Sequence, residues 1–133
     1  MTLDQQRAAQ AYRHVEKIAT EHPKESKERK QYASMAQKLP VLIRSAGLCQ
    51  ALHFLKSRGK DPERSVLGKL LNHLAVQLQR TDASIRDGAS LCDKVREAEL
   101  PRYLWLTREA LATAEWYARL SQSELEILPG TEV

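Results

Sequence analysis

The sequence contains few of the residues that build β-sheets or interrupt helices. Val and Ile together supply 10 of the 133 residues, and Gly and Pro supply five each, whereas Leu and Ala supply 35. This imbalance favours helices and argues against a β-sandwich or a barrel. A chain of this length is the size of one domain. We therefore expect an all-α protein, folded as a single compact bundle of about six helices.

Segments that direct proteins into or across membranes are also missing. No apolar run approaches the length of a membrane span, and the first residues lack the apolar core of a signal peptide. The two cysteines, Cys49 and Cys92, are too few for a disulfide framework. We expect a cytoplasmic protein with no membrane partner.

Motifs that carry catalysis are missing as well. The sequence has no phosphate-binding glycine loop, no paired-histidine zinc motif and no dinucleotide fingerprint. Cys49, His53, His73 and Cys92 could in principle hold a metal. They lack the short pair spacing of zinc sites, and the two cysteines lie on or beside apolar stripes, which favours core packing. We expect no catalytic residues, no cofactor and no metal.

The remaining polar residues that could suggest chemistry have simple structural explanations. Asp61 and Glu63 could be the metal-binding carboxylates of a small nuclease, but Pro62 between them favours capping of the fourth helix. His14 and His22 stand in polar surroundings and are expected to be exposed.

Apolar residues recur at three- and four-residue spacing along most of the chain, which predicts helices. One helical domain is expected over residues 1–126, followed by a short, frayed, acidic tail over residues 127–133. In the second helix the period continues through Pro40. Because proline removes a backbone donor, we expect that helix to be kinked or broken there.

Two helices have unusually wide apolar faces. The fourth, which contains Leu71, is expected to lie deep in the bundle. The sixth, starting near Pro101, carries one apolar face with Leu104 and a second with Trp105 and Trp116. Tryptophan is enriched at protein interfaces, so these two side chains are expected to serve the core or a protein contact.

Charge is unevenly distributed. Residues 1–80 carry a net charge of +8 and residues 81–133 a net charge of −4. Between Glu28 and Asp61 there is no acidic residue. Seven basic residues occupy this span: Arg29, Lys30, Lys38, Arg44, Lys56, Arg58 and Lys60. Such a span favours a polyanion partner. On charge alone, a helix face that is simply solvated explains the span equally well.

One long segment points to a known family. The run from Tyr32 to Leu55, with Lys38-Leu39-Pro40 and Gly47-Leu48 as its clearest parts, closely resembles the small helical subunit of the type III-B CRISPR RNA-silencing (Cmr) complex. Residues 5–8, residues 107–111 and Trp116 match in the same order. The resemblance covers most of the chain.

The resemblance implies a non-catalytic subunit acting in antiviral defence. In that family several copies stack along guide RNA and target RNA, beside a repeated backbone subunit that cleaves the target. The implied partners are therefore guide RNA, target RNA, the other Cmr subunits and neighbouring copies of this chain.

The residues expected to meet RNA phosphates lie within the acid-free span. They are Lys30, Lys38, Arg44, Lys56, Arg58 and Lys60. Lys30, Gln37 and Arg44 are spaced by seven and should line one free side of the second helix. The alternative is a purely structural adaptor without RNA contact, which binds other proteins through Trp105 and Trp116.

Overall fold

The structure, a computed structural model, describes residues 1–129. This part of the chain contains six α-helices. Their bounds are α1 Leu3–Glu21, α2 Lys27–Ala46, α3 Leu48–Arg58, α4 Val66–Leu78, α5 Gly88–Glu97 and α6 Leu100–Ser123. No strand occurs within these residues. The expected all-α bundle of about six helices is confirmed.

The fourth helix is the centre of the bundle, as its sequence predicts. α4 packs against each of the other five helices. Leu70, Leu71 and Leu74 are among its buried side chains. The most extensive single pair is α2 with α6, and α1 also packs against α6.

The second helix is continuous through its proline. α2 runs without interruption from Lys27 to Ala46, and Pro40 lies buried inside it. Of the two forms of the prediction, a break at Pro40 is therefore wrong, whereas a kink within the continuous helix stays a prediction. Leu39, Pro40 and Ile43 all belong to the buried side of α2. Burial of this apolar side against α6 and α4 stabilises the helix despite the missing backbone donor.

The fourth helix begins later than its sequence predicts. Ser65, not Asp61, is its N-cap, and the Ser65 hydroxyl accepts a hydrogen bond from the Gly68 backbone N–H. Asp61 instead organises a separate turn, in which its carboxylate accepts the Glu63 N–H at 3.1 Å. This turn folds back over the first turn of α4, since a Cβ on Gly68 would lie 2.9 Å from Pro62 Cα. A continuous helix could not make that close approach.

The buried face of the sixth helix differs from the predicted one. Leu106, Ala110, Ala114 and Tyr117 face the core, whereas Leu104 is 58% exposed. The buried residues 106, 110, 114 and 117 follow helical spacing as well as the predicted face with Leu104 does. Because α6 packs against both α1 and α2, these tertiary contacts decide which of the two stripes is buried.

The chain after α6 returns to the core. Leu125 and Ile127 are buried members of the main hydrophobic cluster. Packing therefore extends to Ile127, one residue beyond the predicted end of the helical domain. Residues 130–133 of the predicted tail lie outside the described residues.

Candidate nucleic-acid interface

The predicted basic edge of α2 faces α6 and the segment that follows it. Gln37 Nε2 donates to the carbonyl oxygen of Ile127 at 2.8 Å. Arg44 forms an ion pair with Glu115 of α6. Lys30 approaches Glu25, with 3.9 Å between Nζ and Oε2. This edge of α2 is therefore occupied by contacts within the chain, and the charge of Arg44 is balanced by a carboxylate.

Lys38 lies on a different, exposed strip of α2. The strip also carries Val41 and Ser45, and Val41 is 63% exposed. Within residues 1–129 Lys38 has no ion pair, unlike Arg44. Lys38 and Arg44, two of the three predicted contact residues on α2, therefore differ in the charge they offer to a partner.

Of the three other predicted basic residues, Lys56 and Lys60 share a groove at the carboxyl-terminal end of α3, whereas Arg58 does not line it. His53, Lys56, Ser57 and Lys60 line one open groove of about 430 Å³. Lys56 and Lys60 are exposed. Within residues 1–129 neither forms an ion pair. Two lysines without an ion pair in one groove are suited to an anion. Lys56 also lies near enough to Asp87 to add to the lowering of the pKa of that carboxyl, which the backbone hydrogen bond from Ser90 mainly causes.

An aromatic side chain, Phe54, pairs with the third of these basic residues, Arg58. The guanidinium carbon of Arg58 lies 4.8 Å from the centroid of the Phe54 ring, which is a cation–π contact between residues one helical turn apart. Phe54 is half-buried and Arg58 is exposed. Sequence analysis gave Phe54 no role of its own. The four-residue spacing of Phe54 and Arg58 on a predicted helix was the signal that could have found the pair.

Close backbone packing at Gly59 fixes the end of α3 and the position of Lys60 after it. Gly59 is buried, and a Cβ placed on it would lie 2.1 Å from the backbone nitrogen of Gly68. Only glycine allows the end of α3 to lie this close to the start of α4. The position of Lys60 relative to α3 thus depends on this contact.

The two tryptophans have different environments. Trp116 donates from Nε1 to the Asp4 carboxylate at 3.0 Å, joining α6 to α1, and it packs against the core. Trp105 is 38% exposed, with the guanidinium carbon of Arg102 4.7 Å from its ring centroid. Trp105 therefore retains free surface, whereas Trp116 serves contacts within the chain.

Two of the four histidines, the half-buried His14 and His73, form a cluster with the buried Tyr32 and Tyr117 that the sequence pattern did not predict. The rings of His14 and His73 stack with centroids 4.0 Å apart, and His14 Nδ1 lies 2.7 Å from the Tyr117 hydroxyl. His73 Nδ1 lies 2.8 Å from the Tyr32 hydroxyl. The expectation that His14 is fully exposed is therefore wrong, and His22 is half-buried too.

Burial changes the acidity of this cluster. It lowers the pKa of His14 to about 4, with the nearby charges of Arg13 and Lys17 acting in the same direction. It lowers the pKa of His73 to about 3, and His14, Lys17 and Lys69 add to that effect. Both imidazoles are neutral at pH 7, so they add no positive charge for an anion to meet.

Comparison with known proteins decides the family. Residues 3–124 match the family described as CRISPR-associated protein (Cas_Cmr5). The chain belongs to the Cmr5 family. The resemblance found in residues 32–55 is thereby confirmed over nearly the whole sequence.

A relative and a solved structure agree with this Cmr5 assignment. The CRISPR system Cmr subunit Cmr5 of Thermus thermophilus is 44% identical over 125 residues, which cover 94% of this chain and 97% of that protein. The crystal structure of a CRISPR-associated Cmr5 family protein, also from Thermus thermophilus, superposes with a TM-score of 0.76. It is 43% identical, and the match covers 92% of this chain and 97% of the other.

The carboxylates and cysteines of this Cmr5 family chain are placed by packing rather than by a shared site. Asp61 pairs with Arg64 at 3.7 Å within its own turn. Cys92 is buried and Cys49 is half-buried. Among residues 1–129 no three His, Cys, Asp or Glu side chains are arranged to hold a metal ion. None of the helices in this described range combines the length and apolar character needed to cross a membrane.

Proposed function

We propose that this protein is a non-catalytic small subunit of a type III-B Cmr effector ribonucleoprotein, acting in antiviral defence in the cytoplasm. The observation that carries the proposal is the 44% identity, over nearly the full length of both chains, to a protein named as a Cmr subunit. Its protein partners are the other Cmr subunits, including the repeated backbone subunit, and neighbouring copies of itself.

The second part of the proposal is direct contact with guide RNA and target RNA through phosphates. Lys38, Lys56 and Lys60 support it, because all three are exposed and none forms an ion pair within residues 1–129. Phosphate contacts position a protein along RNA without reading its sequence. A subunit that repeats along RNA of any sequence requires contacts of this kind.

The non-catalytic part rests on what the polar residues already do. The carboxylates of Asp61, Asp82 and Asp87 are engaged in turns and caps, through hydrogen bonds to Glu63, Ser84 and Ser90 respectively. A nuclease needs carboxylates or histidines that converge on one point.

Affinity purification from the native host tests the assignment. A tagged chain should recover the other Cmr subunits, identified by mass spectrometry, together with RNA that sequences as CRISPR guide RNA. Recovery of the same proteins without RNA would contradict the RNA part only. Recovery of no Cmr protein would contradict the whole proposal.

A protein-binding role has one specific observation in its favour. Leu100 and Leu104 are 67% and 58% exposed, and Trp105 lies beside them on α6. Exposed apolar side chains that cluster on one helix mark interaction sites. A Trp105→Ala substitution that releases the subunit from the complex, while Lys56→Gln and Lys60→Gln change nothing, would favour the adaptor function over RNA contact.

A further inference from the structure

We propose that the groove at the carboxyl-terminal end of α3 holds a stretch of one RNA strand, with two successive phosphates against Lys56 and Lys60. The ribose between these phosphates lies against Ser57, whose hydroxyl oxygen accepts a hydrogen bond from the ribose 2′-hydroxyl. The proposal rests on the RNA contact proposed above. It adds that both lysines bind the same strand and that the site distinguishes RNA from DNA.

The lining of this groove carries charge of one sign. Its four residues are His53, Lys56, Ser57 and Lys60, and none of them is acidic. Both lysines are exposed, and within residues 1–129 neither forms an ion pair. A concave surface with two unpaired cations raises the local concentration of anions. The groove is therefore suited to a ligand that carries more than one negative charge.

Two carboxylates adjacent to these lysines serve the fold instead. Asp61, which follows Lys60 in the chain, pairs with Arg64 at 3.7 Å within its own turn. The carboxylate of Asp87, whose charge interacts with that of Lys56, caps the first turn of α5. Neither carboxylate forms an ion pair with a lysine of the groove, so an external anion is the partner that both lysines lack.

The helix dipole explains only one of the two lysines. Lys56 occupies the last turn of α3, where a cation is stabilised by the dipole. Lys60 lies beyond the end of that helix. Its backbone is held there by the buried Gly59, since a Cβ on Gly59 would lie 2.1 Å from the backbone nitrogen of Gly68. The fold thus places a second cation at the groove for which α3 itself has no use.

The groove is larger than a lone phosphate requires. Its volume of about 430 Å³ lies within the range of roughly 300–1,000 Å³ that is typical of small-ligand clefts. Because the ammonium group of a lysine is a compact point charge, each of the two lysines pairs with its own phosphate. The smallest piece of RNA that supplies two phosphates is one nucleotide together with the phosphate that follows it.

Ser57 gives the groove a hydrogen-bond acceptor. Its hydroxyl donates to the carbonyl oxygen of Phe54 at 2.8 Å. The proton of this hydroxyl is therefore used within α3, and the lone pairs of its oxygen remain open to a donor in the groove. An ionised phosphate diester has no proton to donate, whereas the ribose 2′-hydroxyl has one and is the group that distinguishes RNA from DNA. The lining therefore favours an RNA strand.

Neutral linkages in the RNA test which phosphates the lysines bind. Single methylphosphonates, which lack the phosphate charge, are placed along the guide or the target strand of the reconstituted Cmr complex, and target affinity is measured. A linkage bound by Lys56 should weaken binding to the unaltered complex and have no effect on the complex with Lys56→Gln. We expect Lys60→Gln to abolish the effect of the adjacent linkage on the same strand. Lys24→Gln is the matched control and should abolish no effect.

Two outcomes would contradict the shared site. Effects abolished on different strands, or at distant linkages of one strand, would overturn this inference and leave the RNA contact standing. If every linkage keeps its effect in both variants, the inference is overturned together with the phosphate contacts proposed for Lys56 and Lys60. A lysine-reactive crosslinker that joins either residue to another Cmr subunit would then assign the groove to a protein partner.

The ribose contact has a test of its own. A 2′-deoxy substitution between the two identified phosphates should lower the affinity of the unaltered complex by about 2- to 10-fold, as expected for one hydrogen bond. The same RNA should bind the Ser57→Ala complex without that loss. Ser45→Ala is the matched control and should retain the loss, because Ser45 also donates to a carbonyl oxygen of its own helix. An equal loss in the Ser57→Ala complex would overturn the contact with the 2′-hydroxyl.

Discussion

Arg29 of α2 donates two hydrogen bonds to the carbonyl oxygen of Leu125, at 3.2 Å from Nε and 3.0 Å from Nη2. The same guanidinium donates from Nη1 to the carbonyl oxygens of Ala19 and His22, at the end of α1. α1 has no basic residue in its own last turn. Arg29 therefore supplies a positive charge to the end of one helix and fixes the chain after another.

Replacing this arginine should be costly. Arg29→Leu leaves several partly buried carbonyl groups without a donor, and each such group costs about 1–3 kcal/mol. We expect the free energy of unfolding to fall by about 3 kcal/mol, measured by urea denaturation followed by circular dichroism. Lys30→Leu, one residue along and less buried, is the control and should change stability by less than about 0.5 kcal/mol. Equal effects of the two substitutions would contradict the role given to Arg29.

The buried fourth helix gives a second stability prediction. Leu71 is 4% exposed, so Leu71→Ala should cost about 2–5 kcal/mol, through lost burial and the cavity it leaves. Val41→Ala, at the exposed strip of α2, should cost far less. The measurement is again urea denaturation. A near-neutral Leu71→Ala would show that α4 is not the centre of the core.

The close approach of α3 and α4 predicts a strong effect of one methyl group. A Cβ on Gly59 would lie 2.1 Å from the Gly68 nitrogen, so Gly59→Ala should force the two helices apart and lower stability by about 1–3 kcal/mol. Ser57→Ala, exposed on the same helix, should change stability by less than about 0.5 kcal/mol. A Gly59→Ala protein with unaltered stability would contradict the packing described here.

The stacked histidines predict a loss of stability in acid. An unfolded histidine has a pKa near 6.5, whereas in the folded chain the pKa values of His14 and His73 are about 4 and about 3. At a pH between the unfolded and the folded pKa values, these two histidines bind protons in the unfolded chain and stay neutral in the folded chain. The free energy of unfolding should therefore decrease as the pH falls from about 6.5 towards 4.

One substitution separates this effect from a general weakening. His73→Phe should reduce the difference in unfolding free energy between about pH 7 and about pH 4.5, whatever its effect at neutral pH. Leu71→Ala should lower stability by similar amounts at both pH values. An unchanged pH difference in His73→Phe would contradict the assignment.

Much of the fold could be predicted because it depends on local spacing. The six helices and the depth of α4 follow from apolar periodicity. The start of α4 did not follow, because Asp61 and Ser65 are both good capping residues. The choice between them depends on the packing of Gly68 against Pro62, which the sequence does not display.

The candidate site could be predicted only in part, for the same reason. The acid-free span contains Lys56 and Lys60, which line the groove at the end of α3. The ion pair that occupies Arg44 could not be foreseen, because Glu115 is 71 residues away in the sequence. Likewise His14 and His73 lie on different helices, and their stacking arises only when α1 and α4 meet.

The salt dependence of target-RNA binding tests most directly whether this chain contacts RNA phosphates. The Cmr complex is reconstituted with the double variant Lys56→Gln, Lys60→Gln, or with Lys24→Gln, Arg119→Gln, which removes the same charge elsewhere. Each phosphate contact contributes about 0.7 to the slope of log affinity against log salt for single strands. We predict a slope shallower by about 1.4 for each copy of the chain in the complex for the first variant, and an unchanged slope for the second. Identical slopes for both variants and the unaltered complex would contradict the proposed phosphate contacts.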